Sequence, residues 1–261
     1  MPKFCANLSF MFQEYALPDR FTAARNAGFK FIEYTFPYDH DPEILASLLK
    51  QNQLKQVLIN LPPGNLEAGD LGLASDPDRI EEFRRSVGQA LAYAKTLGVS
   101  RINCLSGKRI KGVPYEEQRL VLVENLRFAS SRLAADNRLL LVEPINTFDE
   151  PDFFVHTSGD AIALIEAVQA SNLFLQYDVY HMQKMEGNLT ESLRTYLPRI
   201  GHIQISDNPG RHQPGTGEIN YRFLLDELDR LRYKGFVGLE YFPTGETLAS
   251  LDWIKDWGFA L

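Results

Sequence analysis

Cysteine is scarce in this sequence. The 261 residues contain two cysteines, Cys5 and Cys104, and each lies in an apolar, strand-like stretch. Small domains that depend on disulfides need more cysteines than this, so we expect both thiols to be buried and free. A chain of this length can instead be stabilised by a hydrophobic core of ordinary size.

Long apolar runs and a targeting pattern are also missing. No stretch reaches the roughly 18 apolar residues that a membrane-spanning helix needs. The opening residues, MPKFCANLSF, contain no apolar segment of signal-peptide length. We therefore expect a soluble, cytoplasmic protein that has no membrane partner.

Positively charged residues are fewer than negatively charged ones. The chain carries 27 Lys and Arg against 34 Asp and Glu, a formal net charge of -7. Proteins that bind nucleic acid through its phosphates usually carry an excess of positive charge, so we expect no nucleic-acid partner. A local basic site for a small anion remains compatible with this balance.

Short β-type runs alternate with stretches of helical spacing along the whole chain. The eight strand candidates are 3–9, 29–36, 54–61, 101–107, 139–145, 173–180, 201–206 and 236–242. Parallel strands need crossover helices, so this alternation predicts an α/β fold. Eight such units over about 250 residues predict a single (β/α)8 TIM-barrel domain that spans residues 1–261. Residues 62–79 are too long for an ordinary loop and predict an excursion over one face of the barrel.

A doubly wound open sheet is the structural alternative. Such a sheet more often contains five to seven strands, and its nucleotide-binding members carry a glycine-rich phosphate loop after the first strand. The first strand candidate, KFCANLS, is followed by no such loop. The strand count and the missing loop both favour the barrel.

Oxygen-bearing side chains occur late in the last four strand candidates. They are Glu143, Asp178, Gln204 and Glu240. Catalytic groups of these barrels lie at the carboxyl ends of the strands, so we expect the four side chains to surround one point. Three carboxylates gathered there need a counter-charge, and an all-oxygen set favours Mg²⁺ or Mn²⁺ over zinc. A single carboxylate at a strand end is more often a rim residue, but three carboxylates and an amide on four consecutive strands predict a metal site.

Several segments resemble those of the hydroxypyruvate isomerase family, which has a xylose-isomerase-like TIM barrel. They are INCLSGK, VENLRFA, VEPINTFDEPDF, QYDVYHMQKMEGNLT, IGHIQISDNPGRHQPGTGEINY and GFVGLEYFP. The resemblance extends from ANLS near the amino terminus almost to the carboxyl terminus. It implies an enzyme of carbohydrate and glyoxylate metabolism that interconverts hydroxypyruvate and tartronate semialdehyde through an enediolate. It also implies that Glu143, Asp178, Gln204 and Glu240 bind the metal, and that Glu143 and Glu240 transfer the proton.

Substrate recognition requires a cation for the carboxylate of a hydroxy or oxo acid. Lys108, in LSGK, is the first candidate, and Arg211 in the loop after the seventh strand is a weaker one. His181 follows the sixth strand and is a candidate for binding a substrate oxygen, although such a histidine is as often structural. His202 is interpreted as a core histidine, and Glu33 as a possible site-lining residue.

Other functions are also compatible with the sequence. An isomerase of a related sugar acid, such as a 2-oxo-tetronate, would share the metal site. A ketose 3-epimerase typically carries His where this chain has Gln204, and an endonuclease IV type of enzyme needs more histidines and a basic groove. A metal-dependent binding protein without catalytic activity would keep the same four ligands, and a homo-oligomer is possible in every case.

Overall fold

The computed structural model describes residues 2–261 and confirms the barrel. Eight strands form a closed sheet in chain order, and each strand pairs in parallel with its two neighbours. The strands are β1 (Lys3–Asn7), β2 (Phe31–Glu33), β3 (Lys55–Asn60), β4 (Arg101–Cys104), β5 (Leu139–Val142), β6 (Leu173–Asp178), β7 (Ile200–Ile205) and β8 (Phe236–Leu239). This closed order places all eight carboxyl ends at one mouth of the barrel.

Helices on the outside connect the strands. They are α1 (Leu17–Asn26), α2 (Pro42–Gln51), α3 (Ile80–Leu97), α4 (Tyr115–Ala134), α5 (Ser158–Val168), α6 (Val179–Met185), α7 (Leu189–Tyr196), α8 (Tyr221–Arg230) and α9 (Asp252–Asp256). Local chemistry sets several of their ends. The side chain of Asp41 caps α2 by accepting a hydrogen bond of 2.8 Å from the backbone N–H of Glu43. Gly98 ends α3 in the left-handed conformation that glycine tolerates best.

The strands end earlier than the sequence pattern predicts. The sequence pattern predicts a sixth strand over 173–180, but β6 ends at Asp178, and Val179 and Tyr180 begin α6. The carboxylate of Asp178 caps that helix by accepting a hydrogen bond of 2.8 Å from the backbone N–H of Tyr180. Glu143 and Glu240 likewise follow β5 and β8 directly, so these acidic residues lie where the strands give way to the mouth.

The barrel interior is apolar in its lower half and polar in its upper half. Leu58, Leu141 and Cys5 are buried together in the lower half. Glycines on two strands make room for larger neighbours. A Cβ at Gly238 would lie 2.1 Å from Oε1 of Glu33, so this glycine is what admits that carboxylate into the interior.

Residues 62–79 lie beside the loop that follows β4. The backbone N–H of Ser75 donates a hydrogen bond of 3.0 Å to the carbonyl of Ser106. A Cβ at Gly72, whose φ is +104°, would lie 2.2 Å from the carbonyl oxygen of Leu105. The two segments are therefore in backbone contact at the mouth of the barrel.

Two further findings concern cysteine and membranes. Within the described residues, both cysteines are buried and free. No helix between residues 2 and 261 is long and apolar enough to cross a membrane.

Candidate active site

A cavity of about 210 Å³ opens at the carboxyl end of the barrel. Its apolar walls include Phe10, Leu71 and Ile145. The polar side chains that line it are Thr35, Asn60, Glu143, Asp149, Glu150, His181, Arg211 and Glu240. A small cavity with apolar walls and a few convergent polar groups is the usual form of a small-molecule site.

The four predicted ligand residues come together around this mouth. All four side chains are buried. Glu143, Asp178 and His181 each offer a ligand atom, and these atoms lie within 4.8 Å of one another. The guanidinium of Arg211 extends the cluster, since its Nη2 lies 2.6 Å from Oε1 of Glu240 and 3.8 Å from Oδ2 of Asp178.

Burial favours the protonated form of these carboxyl groups. Burial, followed by the nearby charge of Asp178, raises the pKa of Glu143 to about 8 against the opposing effects of Arg211 and Asn103. Burial also raises the pKa of Asp178, and it raises that of Glu240 well above its usual range. A cation bound among the three would replace those protons.

The donor set fits a hard divalent metal. Oδ2 of Asp178 is buried and has no hydrogen-bond partner among residues 2–261, because the cap of α6 uses the other oxygen. A buried carboxylate oxygen without a partner is unfavourable unless a cation binds it. Together with the oxygens of Glu143 and Glu240, it offers the ligand type that Mg²⁺ and Mn²⁺ prefer.

Gln204 lies at the site, but its amide is engaged on both sides. Nε2 donates to Glu240 and, at 2.9 Å, to Oε2 of Glu33. Oε1 accepts a hydrogen bond of 2.6 Å from Nε2 of Gln176. Binding a metal through Oε1 would require the amide to turn over, so the role of Gln204 as a ligand stays a prediction.

His181 is held as a neutral hydrogen-bond donor. Its Nδ1 faces the backbone N–H of Asn146 at 3.3 Å, and that group can only donate. The ring proton therefore lies on Nε2, which is 3.6 Å from Oδ2 of Asp178. Burial lowers the pKa of His181 well below its usual value, and the positive charge of Arg211 lowers it further.

Arg211 lines the cavity, whereas Lys108 does not. Its guanidinium lies 4.9 Å from the ring centroid of Phe10 and 5.3 Å from that of Tyr180. Lys108, the first choice from sequence, is not among the described residues that line the cavity. Its Nζ instead lies 3.1 Å from Oε2 of Glu150.

Two interior residues lie below the cavity. Nε2 of His202 is 2.5 Å from Oε1 of Glu33, and both side chains are fully buried. Glu33 also accepts a hydrogen bond of 3.0 Å from the thiol of Cys5. His202 is thus a hydrogen-bonded core histidine, and Glu33 supports Gln204 from beneath without lining the described part of the cavity.

Two asparagines at the site were not singled out from the sequence. Asn103, the third of the four residues of β4, donates a hydrogen bond of 2.7 Å to Oε2 of Glu143. Asn60 ends β3 and lines the cavity, and its buried Oδ1 has no hydrogen-bond partner in the described chain. Their position in the sequence could have identified them, because both asparagines lie late in their strands, as the acidic residues do.

Comparison with known proteins adds independent information. The sequence model of the xylose isomerase-like TIM barrel family matches residues 21–257. The chain is 47% identical to the hydroxypyruvate isomerase of Escherichia coli, over 97% of this chain and 98% of that protein. It is 42% identical to the 2-oxo-tetronate isomerase of Cupriavidus necator, over 98% of both chains.

Solved structures show the same architecture. A crystal structure from Brucella melitensis, named as an AP endonuclease of family 2, is 40% identical and superposes with a TM-score of 0.96, covering 98% of this chain and 99% of that one. The D-psicose 3-epimerase of Clostridium cellulolyticum superposes with a TM-score of 0.82 at 18% identity, over 99% of this chain and 100% of that one. The second likeness concerns the fold alone.

Proposed function

We propose that this chain interconverts hydroxypyruvate and tartronate semialdehyde. It is an isomerase of the hydroxypyruvate isomerase family, which has a xylose isomerase-like TIM barrel. The observation that carries the proposal is the buried cluster of Glu143, Asp178 and Glu240 around a cavity of about 210 Å³. Arg211 and the neutral His181 also line this cavity. Such a set can bind a small oxo acid and move a proton within it.

We further propose that the enzyme depends on Mg²⁺ or Mn²⁺. Glu143, Asp178 and Glu240 would hold the ion, with Gln204 as a fourth ligand once its amide has turned. When bound, a divalent ion stabilises negative charge that develops on the substrate oxygens. Oδ2 of Asp178, which accepts no hydrogen bond from residues 2–261, and the raised pKa of Glu143 support this assignment.

The charged end of the substrate is assigned to Arg211. Its Nε is buried and has no hydrogen-bond partner within residues 2–261. A guanidinium can bind a carboxylate through two parallel hydrogen bonds. The Nε2–H of His181 would then donate to an uncharged oxygen of the substrate, and its lowered pKa keeps it in that donor form at neutral pH.

Proton transfer is assigned to the two glutamates. Glu143 removes a proton from C3 of hydroxypyruvate, which leaves an enediolate across C2 and C3. Glu240 gives a proton to C2, and the C3 hydroxyl proton passes to the oxygen on C2, so that C3 becomes the aldehyde and C2 carries a hydroxyl. Exchange with solvent then removes the proton from Glu143 and restores that of Glu240. Arg211, Asn7 and Gln204 all donate hydrogen bonds to the oxygens of Glu240 and hold its carboxyl group in place.

A 2-oxo-tetronate is the second candidate substrate. Relatives with this printed name are 40% and 42% identical to the chain over 98% of its length. This substrate has one more carbon atom than hydroxypyruvate and would need more of the cavity. Proton NMR of parallel reactions with hydroxypyruvate and a 2-oxo-tetronate distinguishes the two, since the preferred substrate is converted with the higher kcat/KM.

The same assay separates an enzyme from a binding protein. We expect Glu240→Gln to lower kcat by at least about 100-fold, the usual contribution of a general acid or base. Glu166→Gln, on the exposed surface of α5, is the matched control and should retain wild-type turnover. Folded wild-type protein that binds hydroxypyruvate but never converts it would refute the proposed isomerase activity on this substrate.

A further inference from the structure

A second cavity lies at the opposite, amino end of the barrel. Its volume is about 430 Å³, roughly twice that of the active-site cavity. Leu139, Phe174 and Ile200 form apolar parts of its wall. Its charged lining residues are Arg101, Arg232 and Lys234, and no acidic residue is among the described residues that line it.

Basic residues surround this end of the barrel. Seven of the eight strands begin with a basic residue or follow one within two positions. These residues are Lys3, Lys30, Lys55, Arg101, Arg138, Arg199 and Lys234. Because the barrel is parallel, all strand starts lie at the same end, so the seven form a ring, which we call the basic ring. In a chain of net charge -7, this is a local reversal of sign.

Few of these charges are neutralised by the protein itself. Among the ion pairs within residues 2–261, only Arg138 of the basic ring has a carboxylate partner, Asp136, at 4.0 Å. Five of the seven are exposed, namely Lys3, Lys30, Lys55, Arg199 and Lys234. Exposed like charges grouped together create a positive potential, which attracts anions. The ring therefore favours a ligand that carries more than one negative charge.

The guanidinium of Arg101 is held in place at the second cavity. Its Nε donates a hydrogen bond of 3.0 Å to the carbonyl of Gly201, and its Nη1 lies 3.0 Å from the hydroxyl of Ser100. Its guanidinium also lies 4.8 Å from the ring centroid of Phe236. These contacts orient the group while part of its donor capacity stays unused, since a guanidinium has five N–H donors.

We propose that this second cavity binds a small organic phosphate with a flat body, of the nucleoside phosphate class. Arginine and lysine are the residues that bind phosphate groups most effectively. Phe174 and Leu139 offer a surface on which a flat ring can stack. The volume falls within the range of about 300–1,000 Å³ that small-molecule sites occupy.

The test uses the full chain and the fluorescent nucleotide mant-ADP as a probe. We expect saturable binding that unlabelled ADP competes away, that weakens as salt is raised, and that a saturating concentration of hydroxypyruvate does not displace. Inorganic pyrophosphate, which has the charge but no flat body, should compete at least about tenfold less well than ADP. The salt dependence follows from the contribution of exposed cations.

Three variants locate the site. Arg101→Gln should weaken mant-ADP binding by about tenfold or more, as expected when a charged hydrogen-bond donor is lost. Lys234→Gln alters only an exposed side chain, so it should weaken binding without disturbing the fold. Lys111→Gln, exposed in the loop after β4 at the other end of the barrel, is the control and should bind as the wild type does.

Several results would overturn the proposal. One is the absence of mant-ADP binding at millimolar concentration, and another is binding that Lys234→Gln and Arg101→Gln leave unchanged. Displacement of the probe by hydroxypyruvate would place the nucleotide in the active site instead. Tighter binding of a short DNA duplex than of ADP would identify the basic ring as a nucleic-acid surface.

Discussion

At the scale of single residues, the guanidinium of Arg211 is the centre of charge balance in the site. It contacts Glu240 directly, lies within 4 Å of Asp178, and is flanked by the rings of Phe10 and Tyr180. Burial lowers the pKa of Arg211, but the surrounding carboxylates outweigh this effect and raise the pKa above its ordinary value. It is therefore a permanent cation beside the position proposed for the substrate.

Replacing Arg211 tests its proposed role in binding the substrate carboxylate. We expect Arg211→Gln to raise the KM for hydroxypyruvate by about 100-fold, because a charged hydrogen bond to the substrate is lost. Lys108→Gln is the matched comparison, and we expect it to change KM by less than about threefold, since Lys108 pairs with Glu150. Steady-state kinetics that showed the larger effect in Lys108→Gln would contradict the assignment.

Protonation of the site carboxyls predicts how stability depends on pH. Burial raises the pKa of Glu143 to about 8, whereas an unfolded glutamate titrates near 4.3. The folded chain therefore binds more protons than the unfolded chain between these values, and its stability should fall as the pH rises through this window. We expect the Tm of chelator-treated protein to fall by about 5 °C between pH 5 and pH 8.

Two controls accompany that measurement. Glu143→Gln removes one titrating group, so its Tm should depend less on pH than that of the wild type. Added Mg²⁺ should raise the Tm more at pH 8 than at pH 5, since it competes with protons for the same oxygens. A Tm that rises with pH in the metal-free wild type would refute the assigned direction.

At the scale of elements, strand ends were the part of the site that the sequence could predict. Alternation along a strand fixes which residues face inward, and the parallel order places the ends of β5 to β8 side by side. This was sufficient to bring Glu143, Asp178 and Glu240 to one mouth. Loops have no such period, so the sequence could not show that Arg211 lines the cavity and Lys108 does not.

The excursion at residues 62–79 contributes Leu71 to the cavity wall and contacts the next loop through Gly72. Gly72→Ala would place a Cβ 2.2 Å from the carbonyl of Leu105, so this contact has to open. We expect kcat/KM to fall by about tenfold while circular dichroism stays close to wild type, because the change is confined to one wall.

Gly69→Ala is the matched control for that experiment. Gly69 also has a positive φ, +87°, but a Cβ there meets no atom within 4 Å. The two substitutions share the backbone strain of a non-glycine residue at positive φ, and only Gly72→Ala adds a clash. Equal kinetic losses in both variants would show that the contact at Gly72 does not shape the cavity.

At the scale of the whole molecule, barrel closure unites residues that the sequence keeps far apart. Asn7 on β1 donates a hydrogen bond of 2.8 Å to Oε2 of Glu240, although the two are 233 positions apart. The pairing of β1 with β8 makes this contact possible. The strand count, and hence the closed barrel, could be predicted from the sequence. Such cross-barrel hydrogen bonds could not. They depend on side-chain length and on small residues such as Gly238.

We propose above all that the buried carboxylates bind a metal and, with it, isomerise hydroxypyruvate. The most direct measurement is proton NMR of hydroxypyruvate in D₂O with chelator-treated protein, repeated after Mg²⁺ is restored. We predict no reaction without metal, and with Mg²⁺ both formation of tartronate semialdehyde and incorporation of deuterium at carbon. Folded protein that converts hydroxypyruvate equally well without metal would contradict the metal site, and folded protein inert with every divalent ion would contradict the substrate.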